Sequence, residues 1–208
     1  MNPHSPDAAT PMGYSAEAVA PAGEGQGLNY GQIGRVLNAA LVEIIGSDAA
    51  ASLGNLQGMP DLARELEARF GQSAGRGIAL RVGGACFAQI VRQFGDLAGL
   101  TQPAFRLLPL RLRLRQGLLA FRGLLAEFAG KGVRVEDQDG RLFWRLQDCP
   151  LCVGHQVSEP ICYLMLGMMK AALAWLGGGK VFDVREIACR GRGDDDCVFL
   201  IDPTPVEE

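Results

Sequence analysis

Five of the six cysteines lie between positions 149 and 197, and their spacing is the clearest chemical signal in the chain. Cys149 and Cys152 form a C-x2-C pair, and Cys162 follows shortly after. Cys189 and Cys197 are separated by seven residues. Soft thiolates at short separations, on turns that flank a hairpin, are typical of a tetrahedral zinc site. An iron–sulfur cluster and simple packing as small hydrophobic side chains are the alternatives.

Two further residues could take part in thiol chemistry. Cys86 lies on the apolar face of a predicted helix, which favours packing over metal binding. His155 is three residues from Cys152, but no third residue is evident that would orient a Cys–His dyad. The sequence therefore predicts no catalytic residue, and it leaves His155 as a spare ligand or an exposed loop residue.

Arginines are concentrated in one stretch of the chain. Residues 76–122 contain eight arginines and a single acid, although the formal net charge of the whole chain is −3. Such a balance gives no bulk electrostatic case for nucleic-acid binding. The stretch predicts a rim for carboxylates, phosphates or an anionic membrane surface, and a solvated helix face is the alternative. The rim residues are Arg106, Arg111, Arg113 and Arg115.

The elements that must position these side chains change character along the chain. Apolar residues recur at helical spacing from Ile33 to Ile44, after Asp61, through Cys86 to Phe94, and over about 111–129. The period then becomes two on both sides of Asp139-Gly140, which is typical of a hairpin. A helix is predicted over 161–176, followed by strands over about 181–188 and 198–201. This order predicts an α+β fold in which an antiparallel sheet of two hairpins packs against several helices.

Composition predicts one globular domain with tails. The chain has 208 residues, of which 48% are hydrophobic and 21% charged, so it can bury a core. Residues 1–27 are rich in proline and glycine and are predicted to be disordered, 28–202 form a single ligand-binding domain, and 203–208 form an acidic tail. No stretch predicts a spanning helix or a signal peptide, so a cytoplasmic location is expected, with contact at a photosynthetic membrane as an option.

The C-terminal motifs resemble the 4-vinyl-reductase-type domain, also called the hydrocarbon-binding domain. The resemblance rests on Cys162 ahead of a helix that carries Gly167, and on an E-x2-C-x7-C set that ends in an apolar strand. Residues 189–197 also fit the family's C-x-G-x-G-x-x-x-C pattern. The resemblance covers roughly 76–202 and is strongest over 149–202.

This resemblance implies a ligand set and a pocket. In phenol-sensing relatives the equivalents of Cys162, Glu186, Cys189 and Cys197 hold a structural zinc ion. Cys149 and Cys152 are alternative ligands, and spacing does not choose between the two sets. The resemblance also implies an apolar pocket beside the zinc, although core packing is the alternative for each lining residue. The expected lining residues are Trp144, Tyr163, Met165 and Met169.

Three functions are compatible with the resemblance. The preferred one is a bacteriochlorophyll-biosynthesis protein that binds a Mg-tetrapyrrole or chlorophyllide-type intermediate as a carrier or accessory to pathway enzymes, with no nucleic-acid partner. The second is a 4-vinyl reductase acting on divinyl protochlorophyllide, which needs a hydride donor for which the sequence shows no nicotinamide or flavin motif. The third is a regulatory domain that senses a small aromatic. Homodimer formation is also expected from the family.

Overall fold

The computed structural model describes residues 27–53, 59–126 and 132–207. The predicted N-terminal tail lies outside the described residues, apart from residue 27. The helices are α1 (Tyr30–Ile45), α2 (Ser47–Ser52), α3 (Met59–Phe70), α4 (Gln72–Phe94), α5 (Pro103–Arg106), α6 (Leu110–Leu124) and α7 (Tyr163–Leu176). The strands are β1 (Val133–Gln138), β2 (Arg141–Leu146), β3 (Phe182–Ala188) and β4 (Cys197–Pro205). A 3-10 turn spans Arg190–Arg192.

The four strands form one antiparallel sheet in the order β1-β2-β4-β3. The sheet therefore consists of two hairpins joined through β2 and β4, which confirms the predicted α+β class. Asp139 and Gly140 both have positive φ at the tip of the first hairpin, as a two-residue turn of this kind requires. β4 pairs with β3 as far as Pro205, beyond the domain end predicted at residue 202.

The two central helices, α4 and α7, touch each other along glycines. A Cβ atom built on Gly167 would lie 1.9 Å from the carbonyl oxygen of Leu80, and one built on Gly83 would lie 2.0 Å from that of Leu164. Any side chain at these two positions would force the helices apart. This close crossing sets the position of the N-terminal end of α7, where Cys162 is located.

Helix α1 begins with a cap that its sequence encodes. The Asn29 side chain accepts a hydrogen bond from the backbone N–H of Gln32, and the Gln32 side chain accepts one from the backbone N–H of Asn29. The apolar face that follows is buried against α4, at Ile33, Val36, Leu37, Ala40 and Leu41.

The boundaries of α6 differ from the prediction at the C-terminal end. The helix begins at Leu110, one residue before the predicted start, and ends at Leu124 instead of about 129. Residues 127–129 of the predicted helix lie outside the described residues. The short helices α2 and α5 were not predicted, because six and four residues contain too few apolar repeats to show a period. None of the described helices combines the length and the hydropathy needed to cross a bilayer.

Candidate metal centre and ligand groove

Five cysteines from four separate segments converge at one buried centre. Cys149 and Cys152 lie in the turn region after β2, and Cys162 is the N-cap residue of α7. Cys189 follows β3, and Cys197 is the first residue of β4. All five are buried, and none forms a disulfide. The C-terminal cysteines singled out by their spacing thus form a single cluster, which we call the cysteine centre.

Strand register and one glycine bring these segments together. Cys197 lies opposite Leu146 in the β2–β4 ladder, so it comes close to the segment that carries Cys149. A Cβ atom on Gly191 would lie 3.3 Å from the Cβ of Cys152 and 3.6 Å from the Sγ of Cys189, which leaves little room for a side chain. The Gly191 carbonyl also accepts a hydrogen bond from the N–H of Val157 at 2.9 Å. The first glycine of the C-x-G-x-G pattern therefore allows two cysteine segments to approach each other.

The sulfur–sulfur distances match those of metal-bound thiolates. The Sγ atoms of Cys149 and Cys162 are 3.5 Å apart, and those of Cys152 and Cys197 are 3.3 Å apart. Cys162 and Cys197 are 3.8 Å apart. Zinc–sulfur bonds of about 2.3 Å in a tetrahedron place neighbouring sulfurs about 3.8 Å apart. The cysteine centre can therefore bind a metal ion without large rearrangement.

Glu186 belongs to the same centre. It lies opposite Phe199 in the β3–β4 ladder, and Phe199 lies opposite Trp144, so all three side chains point to the same face of the sheet. Its Oε2 accepts a hydrogen bond from the backbone N–H of Cys162 at 2.9 Å, whereas its Oε1 is buried with no hydrogen-bond partner. Burial, together with the charge of Cys189, raises the pKa of the Glu186 carboxyl to about 8. A cation at Oε1 would remove both the unsatisfied acceptor and the cost of its charge.

Two overlapping sets of four residues place their ligand atoms within 4.8 Å of one another. The first set is Cys149, Cys152, Cys162 and Cys197. The second is Cys162, Glu186, Cys189 and Cys197, the set implied by the sequence resemblance. The structure therefore assembles the predicted ligands and the alternative ligands alike. Neither set includes Cys86, whose thiol pKa is raised to about 12 by burial.

The thiols cannot all ionise together without a compensating cation. Hydrogen bonds with Cys149 and Cys162 lower the pKa of Cys152, whereas hydrogen bonds with Cys149 and Cys152 raise the pKa of Cys162. The backbone N–H of Arg190 donates to the Sγ of Cys197 at 3.3 Å, which stabilises negative charge on that sulfur. No charged side chain among the described residues is fully buried.

A groove of about 1020 Å³ lies beside the cysteine centre. One wall is formed by α3 and the start of α4, including Arg64, Glu67 and Arg76. The other wall is formed by residues 153–161, which we call the groove loop, and His155 is part of it. The loop is flanked directly by Cys152 and Cys162, so both of its ends are attached to the cysteine centre. The sequence analysis missed this groove, because no residue pattern links α3 to the loop.

Arg76 connects the walls of the groove. Its Nε contacts Glu67 Oε1 and its Nη1 contacts Glu159 Oε2, both at 3.1 Å. Its guanidinium carbon lies 5.4 Å from the ring centroid of Tyr163, the first residue of α7. Tyr163, which was predicted to line an apolar pocket, thus lies beneath a cation.

A second space is enclosed by apolar side chains from α1, α4 and α7. Its lining includes Leu37, Cys86, Leu151, Leu164 and Met165, and its free volume is about 10 Å³, which is room for about one water. We call it the apolar pocket. Leu151 comes from within the C-x2-C turn, and Leu164 and Met165 follow Cys162, so the pocket adjoins the cysteine centre.

The other predicted pocket residues have different surroundings. Met165 lines the apolar pocket. Trp144 is fully buried, and its ring centroid lies 5.8 Å from that of Phe121. Met169 is fully buried one helical turn after Met165. The structure thus places one of the four in the apolar pocket and two others, Trp144 and Met169, in the core.

The predicted arginine rim lies at the opposite end of α7 from the cysteine centre. Arg106 and Arg113 line a surface cleft of about 240 Å³ together with Trp175 and Leu176, near the end of that helix. Arg111 pairs with Asp137 at 2.8 Å, and Arg115 is exposed on the same helix. Because α7 has 14 residues, about 20 Å of helix separates this cleft from Cys162.

Comparison with protein families identifies the segment that contains the cysteine centre. Residues 142–203 match the model of the 4-vinyl-reductase domain family. The matched segment contains both ligand sets and strands β2 to β4, so it supports the resemblance for this part of the chain. A curated relative from Methanocaldococcus jannaschii, described as uncharacterised, is 32% identical over 71 residues. That match covers 34% of this chain and 39% of the relative, so the chain spans well under half of the relative's length.

Solved structures show where the overall fold recurs. An Fe(II) unliganded H-NOX protein variant from K. algicida has a TM-score of 0.51 at 13% identity, covering 82% of this chain and 94% of that one. A second H-NOX chain, described in a study of heme distortion, has a TM-score of 0.50 at 14% identity, covering 86% and 97%. The phenol-responsive sensory domain of the activator PoxR with phenol has a TM-score of 0.47 at 22% identity, covering 68% and 71%. The two H-NOX likenesses show that this chain shares their fold.

Proposed function

We propose that the protein is a metal-stabilised binding module that holds a Mg-tetrapyrrole intermediate of bacteriochlorophyll biosynthesis and passes it to a pathway enzyme. The observation that carries this proposal is the groove loop, which forms one wall of the groove and is anchored at both ends by Cys152 and Cys162. Metal binding at the cysteine centre would hold this wall in place. Ligand binding and metal binding are thereby coupled.

The size and chemistry of the groove suit a carboxylate-bearing macrocycle. Its volume of about 1020 Å³ lies at the upper end of the range for small-molecule sites. Val153, Val157 and Ile161 contribute apolar surface, and Arg64 and Arg76 contribute cations that can pair with a ring carboxylate. One H-NOX chain of the same fold is described by the distortion of its heme, which is itself a tetrapyrrole, and this supports the choice of ligand class.

The motif around the cysteines also supports the pathway. The segment Asp148-Cys149-Pro150-Leu151-Cys152 resembles the corresponding segment of the bacteriochlorophyll-biosynthesis J protein, the 23 kDa chain of bacteriochlorophyll synthase. A carrier in that pathway would meet its partner enzymes in the cytoplasm or at the surface of the photosynthetic membrane. We propose peripheral contact of this kind as the setting for pigment transfer.

We propose zinc as the metal and a structural role for it. Cys162, Glu186, Cys189 and Cys197 would provide three thiolates and one carboxylate, with Cys149 and Cys152 as alternative thiolates. These donor types suit zinc, and four protein ligands leave no position for a reactive water. Bound zinc would fix the start of α7 and the groove loop.

A 4-vinyl reductase is the enzymatic alternative, acting on divinyl protochlorophyllide. It would need a hydride donor, and dinucleotides commonly bind at a glycine-rich turn between a parallel strand and a helix. In the part of the chain that the structure describes, all strand pairs are antiparallel. A reductase would therefore have to bind its donor in a different way.

The apolar pocket favours a second candidate, the sensing of a small aromatic molecule. Its lining is entirely apolar apart from the Cys86 thiol, and its free volume of about 10 Å³ means that side chains must move for even a small ring to enter. A macrocycle would not fit there. The two candidates therefore use different spaces, which makes them separable by mutation.

The test is a fluorescence and absorbance titration of the metal-replete protein with divinyl protochlorophyllide, with and without NADPH. We expect saturable binding with a spectral shift and no 4-ethyl product. Arg76→Ala is expected to weaken binding about tenfold, because it removes a groove cation worth about 1.4 kcal/mol. Arg81→Ala is the matched control, since Arg81 is exposed on the same helix outside the groove lining.

Each other outcome selects a different function. Formation of the 4-ethyl product would establish the reductase. Absence of any spectral shift would contradict pigment binding. Binding of phenol that is weakened by Cys86→Met, which adds volume to the apolar pocket, but not by Arg76→Ala would support the small-aromatic sensor.

A further inference from the structure

We propose that the cysteine centre binds two divalent metal ions that share the thiolates of Cys162 and Cys197. This inference rests on the metal centre of the proposed function and adds a second ion to it. The two ligand sets have these two cysteines in common, and each set is complete by itself. Filling both sets at once uses every cysteine except Cys86, together with Glu186.

The geometry divides the six ligands into three local pairs. Cys149 and Cys152 come from one turn and would bind only the first ion. Glu186 and Cys189 come from the end of β3 and would bind only the second. Cys162 and Cys197 come from the start of α7 and the start of β4, and their sulfurs are 3.8 Å apart. That separation is the edge length of a tetrahedron with bonds of about 2.3 Å, so the two sites can share this edge.

Charge balance favours two ions over one. Five thiolates and one carboxylate would carry six negative charges in a buried centre. A single divalent ion would leave four charges uncompensated or would leave ligand groups protonated beside it, whereas two ions reduce the excess to two. The N–H of Arg190 already donates to Cys197, one of the two bridging sulfurs.

Unsatisfied groups remain on both sides when only one set is filled. If the first ion alone is present, the Oε1 of Glu186 stays buried without a partner. If the second alone is present, the Cys149 and Cys152 thiols stay within 3.5 and 3.3 Å of metal-bound sulfurs with no role. Two ions give every one of these groups a ligand function. The metal class is a divalent transition ion that accepts thiolate, such as Zn²⁺.

The test counts metal ions in the full chain purified under reducing conditions with zinc. We expect two Zn²⁺ per chain by elemental analysis. Cys149→Ser/Cys152→Ser is expected to retain one ion, because the set with Glu186 stays intact, and Glu186→Gln/Cys189→Ser is expected to retain one in the all-cysteine set. Cys86→Ala is the control and should retain two.

Cobalt substitution provides a readout of the shared thiolates. Thiolate-to-Co²⁺ charge-transfer absorption should rise up to two equivalents in the wild-type chain and up to one in each double variant. Because bridging thiolates couple neighbouring paramagnetic ions, the EPR intensity per cobalt should be severalfold lower in the fully loaded wild type than in either double variant.

The outcomes separate this inference from the proposed function. One ion per wild-type chain would overturn the two-ion centre and leave the single zinc standing. No bound metal would overturn both. Iron with acid-labile sulfide would replace both ions by an iron–sulfur cluster and overturn this inference.

Discussion

The two ends of helix α7 differ in how their chemically capable residues are arranged. At the N-terminal end, five buried thiols and a carboxylate point at one another. At the C-terminal end, the arginines of the predicted rim lie near Trp175 and contact partners at the surface, such as Asp137 for Arg111 and the carbonyl of Arg106 for Arg113. Both ends were predicted to belong to one ligand site, but they are separate regions of the molecule.

This difference shows which kind of side chain needs a ligand. Exposed cations form pairs with acids and backbone carbonyls at little cost, so the arginine rim is stable without a bound anion. Buried thiols held within 4 Å of one another, and a buried carboxylate oxygen without a partner, are costly unless a cation joins them. Perturbing the two ends should therefore have unequal consequences.

Cys162→Ser should have the largest effect, because Cys162 belongs to both ligand sets and caps α7. We expect loss of metal and destabilisation of about 4 kcal/mol or more, measured by urea unfolding with metal analysis. Cys86→Ala is the matched control, with metal retained and a cost of about 1 kcal/mol. Equal stability of the two variants would contradict a metal-dependent N-terminal end.

Gly167→Ala should have the next largest effect, because its Cβ would overlap the Leu80 carbonyl where α4 and α7 cross. We expect destabilisation of about 3 kcal/mol, together with weakened metal binding as the start of α7 shifts. Calorimetry and a zinc competition titration would measure these changes.

Gly34→Ala is the control for helix propensity. Gly34 is exposed in α1 with no atom within 4 Å of a new Cβ, so alanine there should stabilise the protein by about 0.5–1 kcal/mol. If Gly167→Ala behaved in the same way, the close crossing of α4 and α7 would not be what positions the cysteine centre.

Arg111→Ala should have the smallest effect. Arg111 is paired with Asp137 but remains 56% exposed, so its loss should cost about 0.5 kcal/mol and leave metal content and pigment affinity unchanged. Thermal unfolding and the pigment titration measure both quantities. A tenfold loss of pigment affinity in Arg111→Ala, with Arg76→Ala unaffected, would move the ligand site to the C-terminal end of α7.

Much of the fold was predictable, because its signals are local. The Asp139-Gly140 turn, the helical stripe of α1 and the apolar run of α7 each predicted an element that the structure contains. The metal ligands were predictable as a group, because cysteines at short spacings have few structural uses other than metal binding. Arg76 and Leu151 were not predictable as site residues, since each faces its site only through packing against segments that are distant in sequence.

The sequence by itself determined which elements form and which side chains are available for metal binding. Only the tertiary structure decided that Cys162 and Cys197 are common to both ligand sets, that the groove loop is anchored at both ends, and that the arginine rim lies away from the centre. The physical reason is that these relations depend on the β2–β4 register and on the glycine contacts between α4 and α7. Both are long-range contacts that local periodicity and spacing do not specify.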